Sequence, residues 1–388
     1  MMSAKRFWTT WFIALLLVVA VVGWGLSQWN LNNYTAAVAD RLQLLNELRR
    51  GALQQYFATA EAELTFWSTS SDIVAAQAQM NALWEQAAPD AMSSAVRTDY
   101  ITGNPYPAGE FRELVQSGQT DYDLWHADLH PMAARFVTHR GYYDFFLINP
   151  EGYVIYSVEK EDDFATSLLA GPYSDSGLAR SFREALVTPD QSVLSDMEAY
   201  APSQGEPAIF IARALRDDTG EVIGVIAFQL PTTKILQIMK YDSGMGETGE
   251  TYLVGSDNLM RSDSRFSDVS TVLTQEVDTE TVGLALAGEE GVQFTRDYRD
   301  AEVLSSYSSV NIGGFVWAVM AEIDRAEITQ GAARERPALA GALLFFYGLS
   351  LWTLWYWQGR PDANPAADIS QLDLQGADFG DDGSNLIG

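Results

Sequence analysis

Residues 141–158 read GYYDFFLINPEGYVIYSV, two runs rich in aromatic and β-branched residues on either side of Pro150-Glu151-Gly152. Such residues suit a pleated, half-buried surface, and the Pro and Gly between them supply a turn, so the stretch predicts an antiparallel hairpin. Downstream, a helical piece from Leu178 to Leu186 precedes PAIFIARAL and EVIGVIAFQL, which Asp217-Asp218-Thr219-Gly220 separates as a second hairpin turn. Four strands with an intervening helix make one sheet unit. After a linking helix near Thr232 to Met239 the scheme recurs as TYLVGS, LMRSD, GVQFTRDY, VLSSYSSV and GFVWAVMAE. Two related α+β modules of antiparallel strands, 120–231 and 240–330, are therefore expected, each with its sheet buried on one face.

Upstream of the hairpin, from Tyr34 to about Ala87, the only helix breaker is Gly51, and Val38, Leu42, Leu45, Leu48, Ala52 and Tyr56 recur at three-four spacing. This predicts a single stalk helix over 34–87, about 80 Å long at 1.5 Å per residue, of a kind that pairs into homodimers. The stretch from Pro89 to Gly118 mixes Pro, Gly, Asp and Ser around a short helical piece at Glu110 to Gln116 and is expected to cap the stalk.

Outward from the modules the chain becomes apolar. Phe7 to Leu26 (FWTTWFIALLLVVAVVGWGL) is uncharged and has the roughly 20 residues that cross a bilayer, so 7–29 is expected to span a membrane. Lys5 and Arg6 precede it and no further cation comes until Arg41, which places residues 1–6 in the cytoplasm. A cleaved signal peptide is the rival reading, disfavoured by the length of the run and its flanking Trp residues. A second uncharged run, 337–357, is expected to return the chain. The expected location is a bacterial inner membrane, with 30–336 in the periplasm and both termini cytoplasmic. The acidic tail 358–388 is expected to be disordered and leaves no room for an output module.

Composition narrows the function. The 388 residues are 47% hydrophobic and include eleven Trp, enough to build real cores. A formal net charge of −28 argues against a nucleic-acid partner, because phosphate recognition needs a basic surface. With no cysteine, disulfides, thiol catalysis and Cys-based zinc sites are removed together.

The element order, with GYYDFFLINPEGYVIYSVEKEDDFATSLLAGPY at 141–173 and GMGETGETYLVGSDNLMRSDSRF at 244–266, resembles the double Cache family of bacterial extracytoplasmic PAS-like sensors over roughly residues 34 to 330. The resemblance implies a small-molecule ligand in the membrane-distal module. Amino-acid-binding relatives use an Arg with aromatic neighbours before the first strands and an Asp just after a later Tyr. Here 120–140 offers Tyr122, Trp125, Arg135 and Arg140 without that string, and Pro202 stands two beyond Tyr200, so the ligand is expected to differ. The expected function is a receptor that signals through a cytoplasmic or membrane partner. The alternative is an accessory or scaffold subunit of an envelope complex.

Tyr143, Asp144, Phe146, Tyr156 and Arg213 lie on or beside the predicted distal sheet, and with Asp196 and Tyr200 they are the candidate ligand-binding residues. Alternation along a strand lets only about half of them share one pocket. Asp162, Asp163 and Asp175 match no calcium loop, and solvated carboxylates are the background in so acidic a chain. His126, His130 and His139 lack a His-Glu-x-x-His pattern, with Pro131 expected to limit the helix after His130, so no metal is expected. Gly244-Met245-Gly246-Glu247-Thr248-Gly249 satisfies GxGxxG, but a helix precedes it and a strand follows, the reverse of a dinucleotide site, so its glycines are expected to serve a turn. No acid, base and nucleophile converge, so neither catalysis nor a cofactor is expected.

Overall fold

The computed structural model describes residues 4–240, 244–334 and 336–358. The expectations for 1–3 and 359–388 lie outside the described residues.

Helix α1 runs Ala4–Ser68, followed by α2 (Ser71–Gln86), α3 (Pro89–Arg97) and α4 (Asp121–Arg140). The distal module then holds β1 (Asp144–Ile148), β2 (Val154–Ser157), α5 (Gly177–Val187), β3 (Val193–Leu194), β4 (Glu198–Tyr200), β5 (Glu206–Arg216) and β6 (Val222–Leu230). After α6 (Thr232–Met239) the proximal module holds β7 (Glu250–Val254), α7 (Glu280–Leu286), β8 (Gly291–Arg296), β9 (Glu302–Ile312) and β10 (Phe315–Asp324), then α8 (Arg325–Ala333) and α9 (Arg336–Gln358).

The single stalk helix expected over 34–87 is corrected: it breaks at Thr69. In the run Ser68-Thr69-Ser70 the hydroxyls turn back on the helix, Ser68 donating to the Thr65 carbonyl (2.9 Å) and Thr69 to that of Phe66 (3.0 Å). Such bonds compete with continuation of the helical ladder. Pro131 does not end α4 after His130 as expected, for the helix runs on to Arg140. Thr120 and Asp123 cap its start reciprocally, and Gly141 (φ 72°) closes it. The helical piece expected at 110–116 is only a 3-10 turn, Phe111–Glu113.

Asn33–Gly331 form one compact unit. Both sheets in it are antiparallel, the distal one in the order β2-β1-β6-β5-β3 with β4 also on β5, the proximal one β7-β10-β9-β8. The expected strand at LMRSD is reduced to isolated bridges, Val254 with Met260 and Leu259 with Glu276. One apolar core runs along α1, α2 and α4 and takes in Phe145, Leu147, Ile211 and Phe228 of the distal sheet together with Leu253, Trp317 and Val319 of the proximal one. The opposite, outer faces carry separate cores, Phe146, Phe182, Tyr200 and Phe210 beneath α5, and Tyr252, Val282, Tyr307 and Met320 beneath α7. Asn46, buried on α1, donates to the carbonyls of Ser306 (3.0 Å) and Val319 (2.7 Å) and accepts from the Ser308 hydroxyl.

The described parts of Met1–Asn32 and Ala332–Gly388 form a second unit. Among the described residues one helix, α1, is long and apolar enough to cross a membrane, and its Ile13, Leu17, Val21 and Trp24 are exposed. The second expected span falls on α9, whose described apolar stretch is Ala340–Thr353. One candidate span is therefore established where two were expected.

Candidate functional site

Alternation along β1 sends Phe145 and Leu147 into the stalk-side core and Phe146 and Ile148 to the outer face. Asp144 shares that outer parity and is fully buried. Its carboxylate accepts from the backbone N–H groups of Phe145 (2.6 Å), Val158 (2.8 Å) and Glu159 (3.1 Å) and from the Ser157 hydroxyl (2.6 Å). Three of these four donors tie the start of β1 to the end of β2 and the loop that follows it. That loop has Lys160 (φ 57°) and Ala165 (φ 56°) in the left-handed region, which non-glycine residues enter only when the surroundings hold them there.

What this loop presents is a polar cluster at the edge of the outer face. Glu161 accepts from the Tyr143 hydroxyl (2.5 Å) and from the Ser203 hydroxyl (2.6 Å), and Ser203 in turn accepts from the Gln229 amide (3.2 Å). Gln229 pairs across β1 with Asp144 and across β5 with Phe210. The Tyr200 hydroxyl donates to Asp163 Oδ2 (2.6 Å) while its ring meets Phe210 edge-on at 4.7 Å. Asp163 and Gln229 are buried, yet Asp163 Oδ1 and Gln229 Oε1 have no hydrogen-bond partner among the described residues. Burial, with the charge of Glu161 adding to it, pushes the Asp163 carboxyl up to about 7.

The seven candidate residues are thus divided. Asp144, Phe146 and Tyr200 share the outer face, and Tyr143 stands exposed at its rim. Tyr156 lies in the stalk-side core and donates to His130 Nδ1 (2.8 Å), whose Nε2–H donates to the Arg112 carbonyl (2.6 Å). Arg213 alternates with Ile211 and Leu215 toward that same core and reaches the Ser192 hydroxyl. Asp196 is not at the cluster: it accepts from Trp317 Nε1 (2.7 Å) and pairs with Arg261 (3.0 Å), joining the distal module to the proximal one. Arg261 is buried against Gly255, where any Cβ would stand 2.3 Å from the guanidinium carbon.

Glu161, Asp163, Ser203 and Gln229 are additions to the candidate set, and the expectation that Asp163 is a solvated carboxylate is corrected, for it is buried. Gln229 had a signal, being the one polar residue in the apolar end of β6, AFQL. His126 and His130 stack at 4.7 Å beside buried Lys160; burial and the Lys160 charge lower both imidazoles, His130 to about 3, and burial lowers the Lys160 amine to about 7. Asp162 is exposed and pairs with Arg97, while Asp163 points inward to Tyr200. Among the described residues no group of three His, Asp or Glu could hold a metal ion. Gly244 (φ 86°) and Gly246 (φ 72°) serve the turn between α6 and β7.

Residues 30–332 match the family described as Cache domain. The chain belongs to that family. No curated protein matches the chain. Among solved structures, this Cache chain is similar to the sensory domain of the Campylobacter jejuni chemoreceptor Tlp3 (11% identity, 78% of this chain and 99% of that one, TM-score 0.48). It is similar also to the ligand-binding domain of the Pseudomonas fluorescens chemoreceptor CtaA in complex with L-leucine (13%, 77% and 96%, 0.40). A third is that of the Pseudomonas aeruginosa amino-acid chemoreceptor PctB in complex with L-Arg (16%, 52% and 79%, 0.37). The Cache assignment rests on the sequence match, which spans both modules and most of α1.

Proposed function

We propose that this Cache chain is a membrane-anchored sensor whose distal module binds a small ligand bearing a cationic nitrogen. One observation carries the reading: the two buried side-chain atoms left without partners in the Tyr143–Glu161–Asp163–Tyr200–Gln229 cluster, Asp163 Oδ1 and Gln229 Oε1, are both acceptors. What completes them is a donor, and beside two carboxylates a charged one is favoured. In this reading α1 anchors the chain in the bacterial inner membrane with the Cache domain outside, a second span at 337–357 returns it, and the ligand state passes to a signalling partner.

The stalk supports a homodimer. Leu44, Leu48 and Phe66 are exposed on the side of α1 opposite the buried Leu42, Leu53, Phe57 and Leu64, so a second copy can pair along that stripe.

The test is thermal unfolding of the full chain in detergent across amines, polyamines, amino acids and organic acids. A cationic ligand at a hundredfold excess over its dissociation constant should add about 2.7 kcal/mol, and Asp163→Asn should remove the effect. Because ligand charge favours ionised Asp163, affinity should rise as pH climbs through 7, with release of a proton. Stabilisation by organic acids alone, or none by any compound, would move the reading to an accessory subunit.

A further inference from the structure

The proximal sheet repeats the distal arrangement at one position with different charges. In the distal module the first strand pairs with the last as Asp144 opposite Gln229; in the proximal module the corresponding pair, β7 with β10, sets Glu250 opposite Glu322. Both glutamates share outer-face parity with Tyr252 and Met320, and both are buried. Like charges directly opposed across a strand pair repel, and buried ones more so.

The surroundings do not neutralise them. Glu250 accepts from the Tyr298 hydroxyl (2.7 Å), the Ser264 hydroxyl (3.2 Å) and the Arg265 backbone N–H (3.3 Å). Glu322 Oε2 accepts from the Tyr252 hydroxyl (3.0 Å) and the buried Ser305 hydroxyl, opposite on β9, also acts on this carboxyl, while Oε1 is buried without a well-aligned hydrogen bond among the described residues. Neither carboxylate makes an ion pair among the described residues. The nearby Arg299 is committed to Asp297 and Asp324 and stacks on the Phe266 ring, and Arg265 is held by the carbonyls of Gly246 and Gly249. The rings of Tyr252 and Tyr298, each bonded to one of the two glutamates, stand edge to face at 5.6 Å.

We infer that the proximal module has a second binding site, for a small organic ammonium ion held between Glu250 and Glu322 and walled by Tyr252 and Tyr298. The chemistry selects the class: a charged N–H donor meets Glu322 Oε1, one positive charge separates the two carboxylates, and aromatic walls favour an ammonium over a strongly hydrated metal ion. Burial, augmented by the charges of Asp297 and Glu250, pushes the Glu322 carboxyl up to about 7, so a proton competes with the cation below that pH.

The experiment is a thermal unfolding series of the full chain in detergent at about pH 8, above that carboxyl's range, with methylammonium chloride against equal sodium chloride and tetramethylammonium chloride. Methylammonium should raise the midpoint in the wild type and in Asp163→Asn, and the rise should vanish in Glu322→Gln and in Glu250→Gln. Tetramethylammonium, which has no N–H, should give no rise. A rise lost in Asp163→Asn but kept in both glutamine variants assigns the ion to the distal site and overturns the inference, as does a wild type that methylammonium leaves unmoved.

Discussion

The two modules share strand pairing and stalk packing but treat buried charge differently. In the distal module Asp144 receives four donors, faces a neutral Gln229, and shares the interior with a lysine. In the proximal module Glu322 faces Glu250, keeps one oxygen without a well-aligned hydrogen bond, and makes no ion pair among the described residues. The sheet therefore fixes where a polar row falls, whereas the side chains on it decide which buried acceptors the module satisfies itself and which, Asp163 Oδ1 and Gln229 Oε1 in one module and Glu322 Oε1 in the other, it leaves open.

The largest expected effect tests whether the modules are separate at all. Arg261→Met strips the bridge to Asp196 and Asp257 from a guanidinium only 2% exposed. With both carboxylates partly solvated, about 3 kcal/mol should be lost, at the lower end for breaking a buried pair, and calorimetry should resolve two transitions where the wild type shows one.

The pH profile sharpens the contrast. Glu322 holds its proton to about 7 against an ordinary 4.5, so between those values the folded chain binds a proton the unfolded chain has released. The Glu322 contribution to stability therefore falls as pH rises across that window, by about 3 kcal/mol, while the lowered imidazoles of His126 and His130 contribute with the opposite sign below 6.5; subtracting the Glu322→Gln curve from that of the wild type in urea titrations should isolate the fall. Asp163 adds a fall of the same sign in the distal module, from 3.8 to about 7. Only that module has Lys160, whose amine is lowered from 10.5 to about 7. Between those values the unfolded chain holds the extra proton, stability climbs again, and Lys160→Met should abolish the climb. An alkaline rise surviving Lys160→Met breaks the comparison.

The smallest effect is local to one side. Thr120→Ala removes the reciprocal cap of α4 and should cost about 1 kcal/mol in the same titrations, leaving the ammonium response unchanged.

Much of this architecture is legible in the sequence because period and turn chemistry are local. The hairpin around Pro150-Glu151-Gly152, the helix near 178–186 and the long strands of both modules follow from residues within a few positions of one another, whereas the short β3 and β4 carry too little pattern to be read and LMRSD reads as a strand that forms only bridges. The helix break at Thr69 was missed, because it comes from the hydroxyls of Ser68 and Thr69 turning back on the helix rather than from Gly51, which stays helical with open space around it. The site was legible only in part. Asp144 and Tyr200 stand out as polar groups among aromatics, but which face a side chain takes, and whether its partners are already supplied, depends on pairings such as Tyr200 with Asp163, thirty-seven positions apart. Asp196 shows the limit: its partners Arg261 and Trp317 belong to another module, and no local pattern names them.

Asn46 has a mechanical consequence. Its amide and carbonyl engage three groups on neighbouring strands of the proximal sheet, so it works as an indexing pin between helix and sheet. Sliding the helix by one turn, about 5.4 Å, would bring Leu42 or Arg50 to the place of the pin, and neither has the amide's pairing of donor and acceptor. Axial slippage at this level is thus geared out, and a displacement of the proximal sheet turns or tilts with it the stretch of helix that carries Asn46.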